Sequence, residues 1–225
     1  MFWRFGGYAN ISAIDTLLDK PDVTLEELLD ESDLIQELKS HNTKLIEFLR
    51  EDAALQKLLE YVVAPKLEPV MSVDDEDEQD KGEDLKGKDR GFTAGSQSAA
   101  DEANEKEKKR NRYAYVAAEI LSSDSWSLSA ALLENQPLLR KFWDFLKLPV
   151  PLDPLQASYF TKVNEALLDK KTEEMLDLFK SLDNVVPNML QHVDSPMVMD
   201  LLLKIISLEK AEGGQGIVDV RTPMQ

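Results

Sequence analysis

Large aliphatic residues recur in this chain in short runs at helical spacing, and each run is closed by a cap or a breaker before the next begins. Ile11, Ile14, Leu17 and Leu18 form the first stripe. Thr24-Leu25-Glu26-Glu27 reads as a capping box, with the Thr24 hydroxyl accepting from the Glu27 N–H and Glu27 reaching back. Leu25, Leu28 and Leu29 follow on one face. Leu34, Ile35 and Leu38 make the next stripe, which His41-Asn42-Thr43 breaks. Leu45, Ile46, Phe48 and Leu49 make a fourth, and Leu55, Leu58, Leu59, Val62 and Val63 a fifth that Pro65 stops. Helices this short do not hold together alone in water, so their stripes must pack on one another.

The same pattern returns after a gap. From about residue 108, stripes run through Tyr113, Val116, Ala117 and Ile120, then Trp126, Leu128, Leu132 and Leu133, then Leu138, Leu139, Phe142, Trp143 and Leu146. Asp153-Pro154 reads as an N-cap with proline at the first helical position, and Ser195-Pro196 repeats that device. Thr172 reads as the cap of the helix between them, with Glu173 and Glu174 in its first turn. From Val198 to Leu208 little polar face remains, which predicts a helix buried on most sides. No strand alternation of useful length occurs. The expected fold is therefore all-α, an α-solenoid of stacked short helices in the armadillo or HEAT manner. No repeat period is evident by inspection, so stacking is inferred from helix length and packing need.

Composition divides the chain into an N-terminal helical part (1–65), an acidic insertion (66–107), a helical continuation (108–208) and a glycine-bearing tail (209–225). The insertion carries DDEDEQDKGEDLKGKD and almost no large apolar residues, which predicts disorder. The tail follows the most apolar helix without a polar capping helix, so it reads as truncated.

Net charge is −17 over 225 residues. Phosphates and anionic membrane surfaces would repel such a chain, which argues against nucleic-acid and membrane partners and leaves a protein partner, with a basic or metal-bearing surface, open. There is no cysteine, which excludes disulfides, thiolate metal sites and a cysteine nucleophile and fits a cytoplasmic or nuclear home. MFWRFGGYAN is not followed by the apolar core of a secretory signal, and Phe2 stands where N-myristoylation needs glycine.

Catalytic patterns are scarce. His41 and His192 lie far apart without metal-ligand spacing, and both read as surface or capping residues. Residues 82–89, GEDLKGKD, approach a phosphate-loop pattern but end in Asp89 where a hydroxyl is required and follow an acidic run. Asp77 could open a calcium loop with Gly82 in place, but Gln79, Lys81 and Lys88 fail the template. No catalytic, cofactor or metal residue is nominated, and the chain reads as a non-enzyme with no cofactor. Ser72, with Asp75 three residues on, is a phosphorylation candidate for an acidophilic kinase. Trp126, Trp143 and the scattered methionines read as core packing in preference to partner contacts. Phe2, Trp3 and Phe5 crowd a terminus where polar, frayed residues are the norm.

MFWR, then Leu17–Lys20 (LLDK) and Val23–Leu28 (VTLEEL), closely resemble the opening of the SAPS-domain family. After the insertion, Pro149–Phe160 (PVPLDPLQASYF) and Met199–Ile206 (MDLLLKII) resemble further segments of that family. The insertion and the Gly-Gly-Tyr-Ala-Asn wording resemble its fungal branch. The resemblance covers roughly residues 1–64 and 111–218, and family members are several times longer. It implies a non-catalytic regulatory or scaffold subunit that binds the catalytic subunit of a type-2A-like Ser/Thr phosphatase, the protein phosphatase 6 class. It further implies a place in nutrient signalling and cell-cycle entry. The alternative is a truncated helical fragment that does not bind the phosphatase. Against that background Phe2, Trp3 and Phe5 are expected either to cap the first helical layer or to anchor a partner.

Overall fold

The computed structural model describes residues 12–66 and 94–211, and among them every regular element is helical. Five short helices come first: α1 (Ala13–Leu18), α2 (Leu25–Leu29), α3 (Leu34–Lys39), α4 (Thr43–Leu49) and α5 (Asp52–Val62). After the undescribed stretch come α6 (Ala94–Ser122), α7 (Trp126–Glu134) and α8 (Gln136–Trp143), with a 3-10 turn over Asp144–Lys147. The chain then forms α9 (Pro154–Lys170), α10 (Thr172–Lys180), α11 (Val185–Gln191) and α12 (Pro196–Ala211).

Local chemistry explains most of the boundaries. The capping box forms as read: the Glu27 N–H donates to Thr24 Oγ1 (3.3 Å) and the Thr24 N–H to Glu27 Oε2 (2.9 Å). His41 takes the left-handed conformation just past α3, where the Asn42 N–H closes back on the Glu37 carbonyl. Asn42 then caps α4 through Leu45 N–H (3.1 Å) and also donates to Asp15 on α1 (2.9 Å). Asp153 caps α9 by accepting from Leu155 and Gln156, both at 3.0 Å, with Pro154 in the first turn.

Two boundaries differ from the sequence reading. Thr172 is not a cap: Lys171 holds that position, and the Thr172 hydroxyl donates backwards to the Leu168 carbonyl (2.8 Å). Helix α6 begins at Ala94, inside the stretch that composition gave to the insertion. Residues 99–110, AADEANEKEKKR, lack apolar stripes but consist largely of strong helix formers. Pairs three residues apart support it, Lys108 with Glu105 (2.8 Å) and Arg110 with Glu107 (2.7 Å).

The packing has a repeating logic. Two shorter helices precede each long one: α4 and α5 before α6, α7 and α8 before α9, α10 and α11 before α12. The long helices lie side by side in the order α6, α9, α12, while α5 meets α8 and the 3-10 turn after α8 meets α11. This is the three-helix plan of an armadillo-like solenoid, and it bears out the all-α stacked fold expected from the stripes. One continuous core runs from Ile14 to Ile205. Its densest point is Phe160 on α9, fully buried, whose ring lies 4.9 Å from Phe142, 5.1 Å from Phe145 and 5.3 Å edge-on from Trp143. Trp143 also meets Phe179 of α10 edge-on at 5.5 Å, so this aromatic group joins two successive repeats. Trp143 is thus the core residue that the sequence suggested.

A smaller polar knot ties the first repeat together. Glu26 on α2 accepts from the Tyr61 hydroxyl (2.6 Å) and from Lys57 Nζ (2.9 Å), both on α5. Partial burial pushes the Glu26 carboxyl up, but the Tyr61 and Lys57 bonds outweigh it and hold the group below its ordinary value. Depressed in the fold, it contributes stability that is present above the unfolded value near 4.5 and lost as pH falls through the folded one.

Two results are expected. Phe160→Ala removes the ring shared by three others and should cost about 3–5 kcal/mol in urea unfolding; a loss under ~1 kcal/mol would mean that this cluster does not organise the core. Glu26→Gln should cost about 1 kcal/mol at neutral pH. That difference should shrink in parallel thermal melts as pH falls below ~4.5, and disappear once pH passes the lowered folded value, where the native carboxyl is neutral as well.

Candidate functional site

The long helices α6, α9 and α12 present one uninterrupted outer surface, built from a single stripe of each helix. On α6 the stripe holds Arg112, Tyr115, Glu119 and Ser122; on α9, Leu155, Ser158, Tyr159, Lys162, Glu165 and Asp169; on α12, Met197, Asp200 and Lys204. Spacings of three and four residues put each set on one side of its helix.

Bonds across the grooves fix the register. Tyr115 and Tyr159 face each other with ring centres 6.4 Å apart. Partial burial raises the Tyr159 hydroxyl above its ordinary range, so it stays a neutral hydrogen-bonding group. Lys162 reaches from α9 to pair with Glu119 on α6. Lys204 reaches from α12 in the same way, to Asp169 on α9 (2.7 Å) and to the Glu165 carbonyl (3.5 Å). Each long helix after α6 therefore sends one lysine back to a carboxylate of its predecessor. Lys170 adds an end tie, donating to the carbonyls of Ser122 (3.1 Å) and Ser123 where α6 stops. Burial lowers its affinity for the proton, against the pull of Asp124 and Asp169. At the opposite end, Arg110 (2.7 Å) and Gln156 both donate to the Ala64 carbonyl and fix the exit of α5.

The surface so built carries mixed charge, with exposed aromatic and aliphatic residues: Tyr115 is 50% exposed and Leu155 39%. Such a surface suits the binding of another macromolecule. His192 is fully buried, its Nε2 held 3.0 Å from the Leu146 carbonyl, and His41 lies in the turn after α3. The burial of His192 overturns its reading as a surface residue, whereas the capping role is found: it holds the C-cap position of α11, its N–H donating to the Met189 carbonyl (3.0 Å). It is a packing residue between α11 and the 3-10 turn. Among the described residues no group of histidine, aspartate and glutamate is placed to hold a metal ion. None of the described helices is long and apolar enough to cross a membrane.

The sequence-derived candidates Phe2, Trp3, Phe5 and Ser72, and the two loop patterns around residues 77–89, lie outside the described residues. Trp126 is corrected. It is 62% exposed at the start of α7, with the Lys171 ammonium 3.8 Å from its ring centre, and so is not a core residue. The lysine ties between the long helices were not singled out from sequence, although one signal was available. Lys162 and Lys204 stand nine residues after the caps Asp153 and Ser195.

Lys170→Met should leave the α6 carbonyls without their donor and cost about 1–2 kcal/mol in chemical unfolding, more than an exposed lysine loses. An unchanged midpoint would show that water replaces the lysine fully.

Comparisons with known proteins add the following. The family described as SAPS, SIT4 phosphatase-associated protein, matches residues 164–223. The chain is 41% identical over 97% of its length to extragenic suppressor of kinetochore protein 1 of Schizosaccharomyces pombe. It is 35% identical over 87% of its length to the SIT4-associating protein SAP190 of Saccharomyces cerevisiae. It is 34% identical over 92% of its length to serine/threonine-protein phosphatase 6 regulatory subunit 3 of Gallus gallus. The chain spans 23%, 22% and 20% of the length of these curated relatives, respectively. No solved structure matches it.

Proposed function

Because the chain belongs to the SAPS family, we propose that it serves as a non-catalytic regulatory or scaffold subunit of a type-2A-like Ser/Thr phosphatase. The observation that carries this reading is the similarity to proteins named for association with the SIT4 phosphatase and for regulation of phosphatase 6. The structure supports it from another side: a stiff stack of helices with a broad polar and aromatic face suits docking. The catalytic metals and acid–base groups belong to the partner. In this reading the chain directs the phosphatase towards substrates in the cytoplasm and nucleus, in pathways of nutrient signalling and cell-cycle entry. The docking surface is the α6–α9–α12 face. Net charge of −17 favours a partner surface with basic character.

A pulldown of the purified chain against the type-2A-like catalytic subunit tests this, with circular dichroism to show that the chain is folded. Capture is expected, and Lys162→Glu combined with Tyr115→Ala should weaken it at least tenfold while leaving helicity unchanged. A folded chain that captures no phosphatase would instead favour the second reading, a helical interaction fragment without phosphatase binding.

A further inference from the structure

Two surfaces depart from what the sequence predicts. The first is α12, expected to be buried on most sides. Leu203 is 61% exposed and Met199 and Ile206 are half-buried, so that expectation is corrected: α12 is covered towards α9 and open on the far side. The second is the middle of α6, where the sign of the charge inverts.

The chain carries 43 acidic and 26 basic residues, yet five of the seven residues from Lys106 to Arg112 (KEKKRNR) are basic. One of the five serves the fold. Arg110 is held by Glu107 (2.7 Å) and donates to the Ala64 carbonyl (2.7 Å), with only 10% of its side chain exposed. The other four, Lys106, Lys108, Lys109 and Arg112, line an open groove between α6 and the turn after α2, together with Asp30 and Glu105. Four cations there stand against two carboxylates. Asp30 is shared three ways: it accepts from the Tyr113 hydroxyl (3.0 Å) and lies 3.8 Å from Lys109 Nζ and 3.6 Å from Arg112 Nη1. Glu105 pairs with Lys108 (2.8 Å). Lys106 is exposed and has no partner among the described residues. The groove thus keeps positive charge in excess, spread along roughly 9 Å of helix axis. Charge so spread suits a run of separate carboxylates better than one compact dianion, which needs donors converging on a point.

The chain itself holds such a run. Asp74-Asp75-Glu76-Asp77-Glu78-Gln79-Asp80 has six carboxylates in seven positions. It lies outside the described residues, but the point from which it departs does not. The Ala64 carbonyl is tied to Arg110 and Gln156, so the chain leaves α5 against α6 itself, at the level of the basic residues. Lys106 and Arg112 stand within about 6 Å of Arg110 along the helix axis. The stretch from Ala64 to Asp74 can span up to ~33 Å, which covers that distance several times over. A tether of this length keeps the run near the groove at an effective concentration of about a millimolar. A separate acidic molecule would instead meet the repulsion of a chain with net charge −17 and lose translational freedom on docking.

We propose that the Lys106–Arg112 face of α6 is a docking site, and that its occupant is the acidic run of this same chain, residues 74–80. The carboxylates of the run neutralise the charge that Asp30 and Glu105 leave in excess. The inference rests on charge, geometry and tether length and is independent of the phosphatase reading. Arg112 also belongs to the α6 stripe of the outer face, so occupancy of the groove changes the charge at one end of that face.

The chain has no cysteine, so Gln79→Cys gives a single attachment point for a nitroxide within the run. Amide relaxation along α6 then reports where the label dwells. In low salt the Lys106–Arg112 amides should relax at least threefold faster than in a chain carrying D74N, D75N, E76Q, D77N, E78Q and D80N, which keeps the tether and removes the charge. The excess should vanish at about 0.5 M salt. It should vanish too in the double variant Lys106→Glu, Lys108→Glu, with circular dichroism to show that helix content is kept; if helix is lost, the neutral run decides alone. Equal relaxation with the charged and the neutral run would overturn the proposal, as would an excess centred on other cations of the chain. An excess that persists when nitroxide and isotope label are on different copies would also overturn it, by naming a second copy as the source of the occupant.

Discussion

The fold depends on α9 being buried from two sides. Its Phe160, Val163, Asn164 and Leu167 are inaccessible, and its neighbours on the two flanks are α6 and α12. Helices of six to nine residues, which most of the others are, gain too little from their own hydrogen bonds to persist. They hold because each lays one stripe against a long helix or against a helix already held by one. Phe160 concentrates this dependence, since its ring gathers the aromatics of α8 and the turn that follows, and Trp143 passes the contact to α10. Polar bonds then select the register that the apolar contacts leave loose. A lysine placed one helix later finds a carboxylate only in one alignment of neighbours, and most such pairs are exposed enough to add specificity more than energy.

The function follows from what such a stack can and cannot do. It supplies a long, faceted surface, and among the described residues no cluster of metal ligands is placed on it. The family model that matches residues 164–223 is described by association with a phosphatase, and binding is the role proposed for this chain on that similarity. The outer face of the long helices is where side chains of different chemistry stand in fixed relation, Tyr115 against Tyr159 and Lys162 against Glu119. In the proposed docking, a partner would meet there a surface whose side chains are already positioned, which limits the entropy lost on binding.

What was legible in the sequence was local. The capping box at Thr24, the break at His41, the stop at Pro65 and the Asp153-Pro154 start depend on residues within four positions, and each is found in the structure. Thr172 was misread because a hydroxyl at a helix start can donate backwards as easily as cap forwards, and the Leu168 carbonyl was within reach. The start of α6 was missed because apolar content signals burial, whereas alanine, glutamate and lysine stabilise a helix without it. Trp126 and α12 were misjudged for one common reason. Hydrophobicity says that a side chain favours burial, but only the arrangement of the repeats says whether a neighbour is there to bury it. The repeat itself was present in the two proline caps and the two lysines, too sparse to outweigh the differences between the intervening loops.

The central claim is that the α6–α9–α12 face receives the phosphatase. Hydrogen–deuterium exchange of the chain, alone and saturated with the type-2A-like catalytic subunit, tests it most directly. The claim predicts slowed exchange confined to peptides of the three long helices, with α1 to α4 unchanged. A saturated complex in which those three helices exchange as they do in the free chain, while other segments become protected, would contradict it.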